Sequence, residues 1–210
     1  MALRILLADD HALVRDCLKV YLEGAGFTVV GEACDGAEAV RLVNSLHPQV
    51  ALLDFVMPAL NGIDAAREIS NTSPSTKVVL LTGFSEDRYV IEALRAGVSG
   101  YVLKTKAAYD LVQAIQEVDR GNVYLSPGIS RAVVHEMLHK TGGESDVLSP
   151  RERQVLQLIA EGKTSKEVAV QLGISLKTAV SHRTNIMEKL DLHETAALVR
   201  YAIRRGLIQA

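Results

Sequence analysis

Asp9, Asp10, Asp54, Thr82 and Lys104 each stand at or just past the end of a short apolar run, and their side chains are of the types that handle phosphate and metal ions. Three carboxylates gathered in one place repel each other unless a cation joins them, and a hard divalent ion with oxygen ligands, most naturally Mg²⁺, meets that need. Asp9 and Asp10 then hold the ion, directly or through water. Asp54 is left as the nucleophile that accepts a phosphoryl group. Lys104 pairs with a phosphoryl oxygen, and the Thr82 hydroxyl donates a hydrogen bond to the attached group. That group brings roughly −1.5 to −2 charge and three strong acceptors, enough to pull on both partners. His11 follows the acidic pair, but no second His or Cys stands at ligand spacing, so it is not read as a ligand.

These residues matter only if a fold brings them together. Apolar, β-branched runs at 3–8, 27–33, 50–53, 77–82 and 100–103 alternate with helical periods at 11–23, 36–46, 62–70, 86–96 and 107–120. Five β-α units in series predict an α/β fold, a doubly wound (βα)5 flavodoxin-like domain with helices on both faces of a parallel sheet. With strand order 2-1-3-4-5, strands 1 and 3 are neighbours and their carboxylates converge beyond the carboxyl ends, where ligands bind in such sheets. Gly24, Gly26, Gly97 and Gly121 fall where helices should stop, as left-handed caps.

After residue 121 the alternation breaks. A helix is predicted from about 127 to 139, and the run at 140–145 reads as a flexible linker. We therefore expect domains at 1–121 and 148–210, joined by 122–147. The last segment reads as an all-α four-helix unit. Ser149-Pro150-Arg151-Glu152 is a capping box with Pro at the first helical position, and Thr164-Ser165-Lys166-Glu167 repeats the signature. Gly173 breaks the chain, Ser175 caps a helix running to about Leu190, and a final helix covers 194–205.

Charge separates the halves. Residues 1–140 hold 13 Lys/Arg against 17 Asp/Glu, whereas 149–210 hold 10 against 6, so only the tail suits a polyanion. On the helix after Ser175, Ala179, Ile186 and Leu190 share an inward face, and Lys177, Val180, Ser181 and Thr184 share the opposite one. A helix in the major groove of double-stranded DNA presents that outer face to base edges: Val180, Ser181 and Thr184 are the base-reading candidates. Lys166, Lys177, Thr178 and Arg183 are the phosphate-contact candidates. His182 flanks the core side and is read as a packing residue. Cys17 and Cys34 form no metal or disulfide pattern, and no membrane-length apolar run or signal-peptide core is seen, so a cytoplasmic protein without membrane contact is expected.

Residues 1–120 resemble the receiver domain of two-component response regulators. The matching segments are Ile5-Leu6-Leu7-Ala8-Asp9-Asp10-His11, Leu52-Leu53-Asp54-Phe55-Val56-Met57-Pro58, Asn61-Gly62, Leu80-Leu81-Thr82-Gly83 and Gly100-Tyr101-Val102-Leu103-Lys104. The tail resembles the LuxR-type helix-turn-helix through Leu148-Ser149-Pro150-Arg151-Glu152, Ala160-Glu161-Gly162-Lys163-Thr164, Ser181-His182-Arg183 and Arg205-Gly206-Leu207-Ile208. Together the two matches are similar to the NarL/FixJ subfamily. The resemblance implies phosphorylation of Asp54 by a sensor histidine kinase and a metal site completed by the Val56 carbonyl. It also implies a phosphate-binding and switch set of Thr82, Gly83, Tyr101 and Lys104, in which Thr82 and Tyr101 move together. It further implies a DNA-bound or activated homodimer, with RNA polymerase as a further partner. Phosphorylation would drive dimerisation or release a masked recognition helix; the sequence does not separate these routes. Thr105 stands where many receivers carry proline.

Two rival readings are set against a phosphorylation-switched transcription regulator. An aspartyl phosphatase of the haloacid dehalogenase type needs a second Asp two residues after the nucleophile, where this chain has Val56. A protein-interaction relay would leave the basic tail without DNA affinity. The expected chemistry is therefore not enzymatic turnover, beyond self-directed phosphotransfer and slow self-dephosphorylation.

Overall fold

The structure, a computed structural model, describes residues 2–129 and 147–208. The chain divides into two compact units. In the first, β1 (Arg4–Ala8), α1 (Ala12–Gly24), β2 (Thr28–Ala33), α2 (Gly36–Leu46), β3 (Val50–Asp54), α3 (Gly62–Thr72), β4 (Lys77–Thr82), α4 (Asp87–Arg95), β5 (Gly100–Leu103) and α5 (Ala107–Asp119) alternate as the periodicity predicts. Every neighbouring pair is parallel. Ile5, Leu7, Leu52, Val79 and Val102 project to one side, where they pack with Leu22 of α1 and Leu111 and Ile115 of α5. The intervening positions, Leu6, Leu53, Leu80 and Tyr101, are buried as well. A parallel sheet covered on both faces gives this near-continuous apolar pattern.

The sheet order is β2-β1-β3-β4-β5-β6, so the expected 2-1-3-4-5 order holds with one strand added at the edge. That strand, β6 (Tyr124–Leu125), lies within the stretch that the sequence assigns to the linker. Two residues are too few to show alternation, and tertiary hydrogen bonds hold them instead. Tyr124 N donates to Ser99 O and Ser126 N to Tyr101 O, both at 2.9 Å. Buried Ser126 also donates through Oγ to Asp110 Oδ2 at 2.7 Å and accepts from Leu103 N at 3.1 Å. The helix expected at 127–139 lies from residue 130 onward outside the described residues, as does the linker run at 140–145.

Gly26, Gly97 and Gly121 have φ of 90°, 91° and 88°, the left-handed conformation expected of them. Gly24 differs: it is the last residue of α1, with Ala25 as the cap. The described peptide bonds are all trans, including the one between Lys104 and Thr105.

The second unit holds α6 (Pro150–Ala160), α7 (Ser165–Gln171), α8 (Leu176–Leu190) and α9 (Thr195–Arg204). Both capping boxes form, with Ser149 and Glu152 on α6 and Thr164 and Glu167 on α7. Ser175 Oγ accepts from Thr178 N to start α8. Leu156, Val168, Ala179, Ile186 and Leu198 meet in the core, and Leu190 packs partly buried against it. Among the described residues no helix is long and apolar enough to cross a membrane.

Close packing beneath β3 fixes one glycine. A Cβ on Gly62 would stand 2.1 Å from the Asp54 carbonyl oxygen and 2.9 Å from Leu80 Cδ2, whereas one on Gly83 would meet nothing within 4 Å. Gly62→Ala is therefore expected to lower stability by about 2 kcal/mol or more in urea denaturation, with Gly83→Ala within about 0.5 kcal/mol of the parent. Equal, small effects at the two positions would show that the β3–α3 junction yields easily.

Candidate functional site

Register converts strand order into a site. Ala8 pairs with Leu53, Asp54 with Leu81 and Thr82 with Leu103, so the carboxyl ends of β1, β3, β4 and β5 form one rim. Asp9 and Asp54 are buried there, and Asp10 is exposed. Lys104 Nζ stands 2.9 Å from Asp54 Oδ2 and 3.4 Å from Asp9 Oδ2, joining the ends of three strands. Phe55 N donates to Asp54 Oδ1 at 2.7 Å. The other oxygen, Asp54 Oδ2, is buried and has the Lys104 ammonium as its close partner.

Burial pushes the Asp54 carboxyl up to about 6, against the pull of Lys104 and with some help from Asp9. Burial works against the Lys104 ammonium too, but Asp54 and Asp9 outweigh it and hold its pKa above the ordinary lysine value. Asp9, Asp10 and His11 offer ligand atoms within 4.8 Å of one another. His11, set aside on spacing, comes to the carboxylates after all, with Nδ1 2.7 Å from Asp10 Oδ1 and 3.3 Å from Asp9 Oδ1. Two clustered carboxylates, the nearby buried Asp54 Oδ2 and an excess of negative charge are of a kind that suits a hard divalent cation.

Thr82 is fully buried at the end of β4, next to exposed Gly83. Its Oγ1 accepts from Phe84 N at 3.0 Å, and Phe84 O accepts from the Tyr101 hydroxyl at 3.0 Å. Burial drives the Tyr101 phenol well above its ordinary range, a shift tempered by a hydrogen bond with Thr82. The Phe84 ring packs 4.9 Å from Phe55 and 5.0 Å from Tyr89 of α4 between centroids. Phe84 thus links the rim to Tyr101 and α4, a role the sequence did not reveal because a residue between strand and helix carries no periodicity. Val56, the expected carbonyl ligand, is half-buried two residues past Asp54.

On α8, Val180, Ser181, Thr184, Lys177 and Thr178 are exposed, as is Lys166 on α7. Several have partners at home. Thr184 Oγ1 donates to Val180 O at 3.2 Å, the Thr178 and Ser175 hydroxyls are 2.8 Å apart, and Arg183 donates to Thr195 Oγ1 at 2.7 Å. Half-buried His182 lies off the outward face. Lys189 Nζ reaches the buried Glu152 at 2.8 Å and anchors the far end of α8 to α6. Burial opposes the charge on Glu152, but bonds from Lys189 and Ser149 outweigh it and hold the carboxyl below its usual range.

The raised Asp54 pKa has a sign that can be measured. The folded carboxyl, near 6, binds its proton more tightly than the unfolded one, at about 3.9. Its contribution to stability is complete below the unfolded value and is lost as pH rises through 6. Without divalent ions, Asp54→Asn is expected to stabilise the protein at pH 7.5 by up to roughly 3 kcal/mol. The gain should vanish below about pH 4 in urea melts; a pH-independent difference would mean that Asp54 is not desolvated.

Comparison with known proteins agrees with this architecture. Residues 5–116 match the response regulator receiver domain, and residues 146–202 match the bacterial regulatory proteins of the luxR family. The transcriptional regulatory protein LiaR of Bacillus subtilis (strain 168) is 38% identical over 211 residues, covering 98% of this chain and 99% of its own. The response regulator protein VraR of Staphylococcus aureus (strain COL) is 35% identical over 210 residues, covering both chains completely. A solved structure of two RcsB dimers bound to two parallel DNAs is 29% identical with a TM-score of 0.60, covering 96% of this chain and 98% of that one. With a receiver at one end, a LuxR-type DNA-binding unit at the other and relatives matched along their whole length, the chain belongs to the two-component response regulators.

Proposed function

We propose that Asp54 is the phosphoacceptor of this response regulator and that its phosphorylation by a sensor histidine kinase governs DNA binding and transcription. The observation that carries this reading is Asp54 Oδ2, buried at the rim where three strand ends meet, 2.9 Å from Lys104 Nζ. In the transfer, an Asp54 carboxylate oxygen attacks the phosphorus of a phosphohistidine. An O–P bond forms as the N–P bond breaks, and its electron pair leaves with the imidazole. Mg²⁺, held by Asp9, Asp10, Asp54 and the Val56 carbonyl, would supply charge neutralisation at the phosphoryl oxygens. Lys104 pairs with one of those oxygens, and the Thr82 hydroxyl, beside the Gly83 backbone, donates to another. Because Thr82 and Tyr101 both bond to the Phe84 backbone, a move by Thr82 reaches Tyr101. Hydrolysis of the acyl phosphate resets the chain slowly, without turnover of an external substrate.

On the DNA side, α8 enters the major groove with Val180, Ser181 and Thr184 toward base edges, and Lys166 and Lys177 meet phosphates, with Thr178 and Arg183 beside them. The chain acts as a homodimer on paired half-sites, by analogy with the DNA-bound RcsB dimers, with RNA polymerase as the downstream partner.

Acetyl phosphate with Mg²⁺ is expected to label the wild-type chain to about one phosphoryl group and to leave Asp54→Asn unlabelled, read by intact mass. Equal labelling of the variant would move the acceptor elsewhere. For duplex DNA, log K is expected to fall linearly with log salt, with a slope of about −0.9 per phosphate neutralised. A flat plot would favour the protein-interaction relay.

A further inference from the structure

We propose that His11 is a nitrogen ligand of the divalent cation held by Asp9 and Asp10, and that it turns this site toward first-row transition metals over Mg²⁺. This deepens the reading in which the two carboxylates bind a cation, and it rests on that reading.

His11 stands at the N-cap of α1, where a side chain ordinarily accepts from an amide of the first turn. Here the imidazole makes no capping hydrogen bond. It is turned to the carboxylates instead, with Nδ1 2.7 Å from Asp10 Oδ1 and 3.3 Å from Asp9 Oδ1. Ligands about 2.1 Å from an octahedral ion and at right angles to each other lie about 3.0 Å apart. The two separations bracket that edge, so the nitrogen and each oxygen are spaced as neighbouring ligands of one ion. The two oxygens of Asp9 have different neighbours. Lys104 Nζ lies 3.4 Å from Oδ2, whereas the His11 amide donates to Oδ1 at 2.8 Å. That amide bond ties the His11 backbone to the oxygen that its ring also approaches. The His11 side chain is 59% exposed and that of Asp9 1%, so an ion can reach the buried carboxylate from solvent past the imidazole. A hydrogen on Nδ1 shared with the same oxygens gives the same distances, but it confers no choice among metals. A nitrogen ligand does. Imidazole suits ions such as Ni²⁺ and Zn²⁺, whereas Mg²⁺ takes oxygen ligands.

The test uses the full chain without an affinity tag, as wild type and as His11→Ala. In calorimetry the substitution is expected to lower Ni²⁺ affinity about tenfold and to keep Mg²⁺ affinity within about twofold. With Mn²⁺ as a paramagnetic probe, electron spin-echo modulation from a bound nitrogen is expected in the wild type and absent from His11→Ala. His11 is exposed, so the thermal melts of the two chains should coincide. Equal losses for both cations would overturn the inference, because a residue that only orients Asp10 serves every metal alike. Markedly tighter Mg²⁺ binding by the variant would also overturn it, by making the imidazole a competitor for the carboxylates. Nitrogen modulation that survives the substitution would do the same. If the wild type bound no divalent cation, or bound it as well after Asp9→Asn with Asp10→Asn, the metal reading itself would fall, a result distinct from the others.

Discussion

Everything in the first unit answers to the burial of a carboxylate. Asp54 sits at the end of a central strand, with Asp9 on the adjoining strand and one ammonium within reach. A desolvated charge is costly unless it is paired and hydrogen-bonded, and here the partners are few: one oxygen has the Phe55 amide, the other the Lys104 ammonium. A pKa near 6 is the electrostatic result. A ligand that brought donors or positive charge would offset that cost. The surrounding sequence is constrained accordingly. Gly62 must lack a side chain because α3 starts against the Asp54 carbonyl, and Asn61 caps that helix through its side chain.

The same rim explains how a local change in charge can be felt at a distance. Thr82 and Tyr101 are not directly dependent on each other alone; both lean on the Phe84 backbone, one through its amide and the other through its carbonyl. The Phe84 ring is wedged between Phe55, which follows the buried carboxylate, and Tyr89 of α4. A shift of Thr82 toward Asp54 must therefore drag a backbone segment and disturb an aromatic contact. The Tyr101 carbonyl in turn accepts from Ser126 N, and Ser126 is fastened to α5 through Asp110. The hydrogen bonds run from the acidic rim to the last described strand without leaving β4, β5 and their neighbours.

The sequence made the rim legible because strand ends in a parallel sheet are fixed by periodicity, and five reactive side chains coincided with them. Thr82 and Lys104 needed no contact information to be placed. What escaped was tertiary. β6 is two residues long and is held by Ser126, which bonds to Tyr101, Leu103 and Asp110. Gly24 looked like a helix stop, yet α1 runs onto it and the left-handed residue is Gly26. His11, not read as a ligand, lies beside the Asp9 and Asp10 carboxylates, a contact that residue spacing does not reveal.

In the second unit the limit of sequence reasoning takes a different form. A helical projection gives the direction in which a side chain points, and for Val180, Ser181 and Thr184 the direction agrees with the exposure observed. Direction is not availability. A short hydroxyl side chain on a helix has its own backbone within reach, and Thr184 uses it; a long guanidinium can fold back on a neighbouring helix, as Arg183 does to Thr195. Polar residues on an exposed helix face thus compete with their own fold for hydrogen bonds.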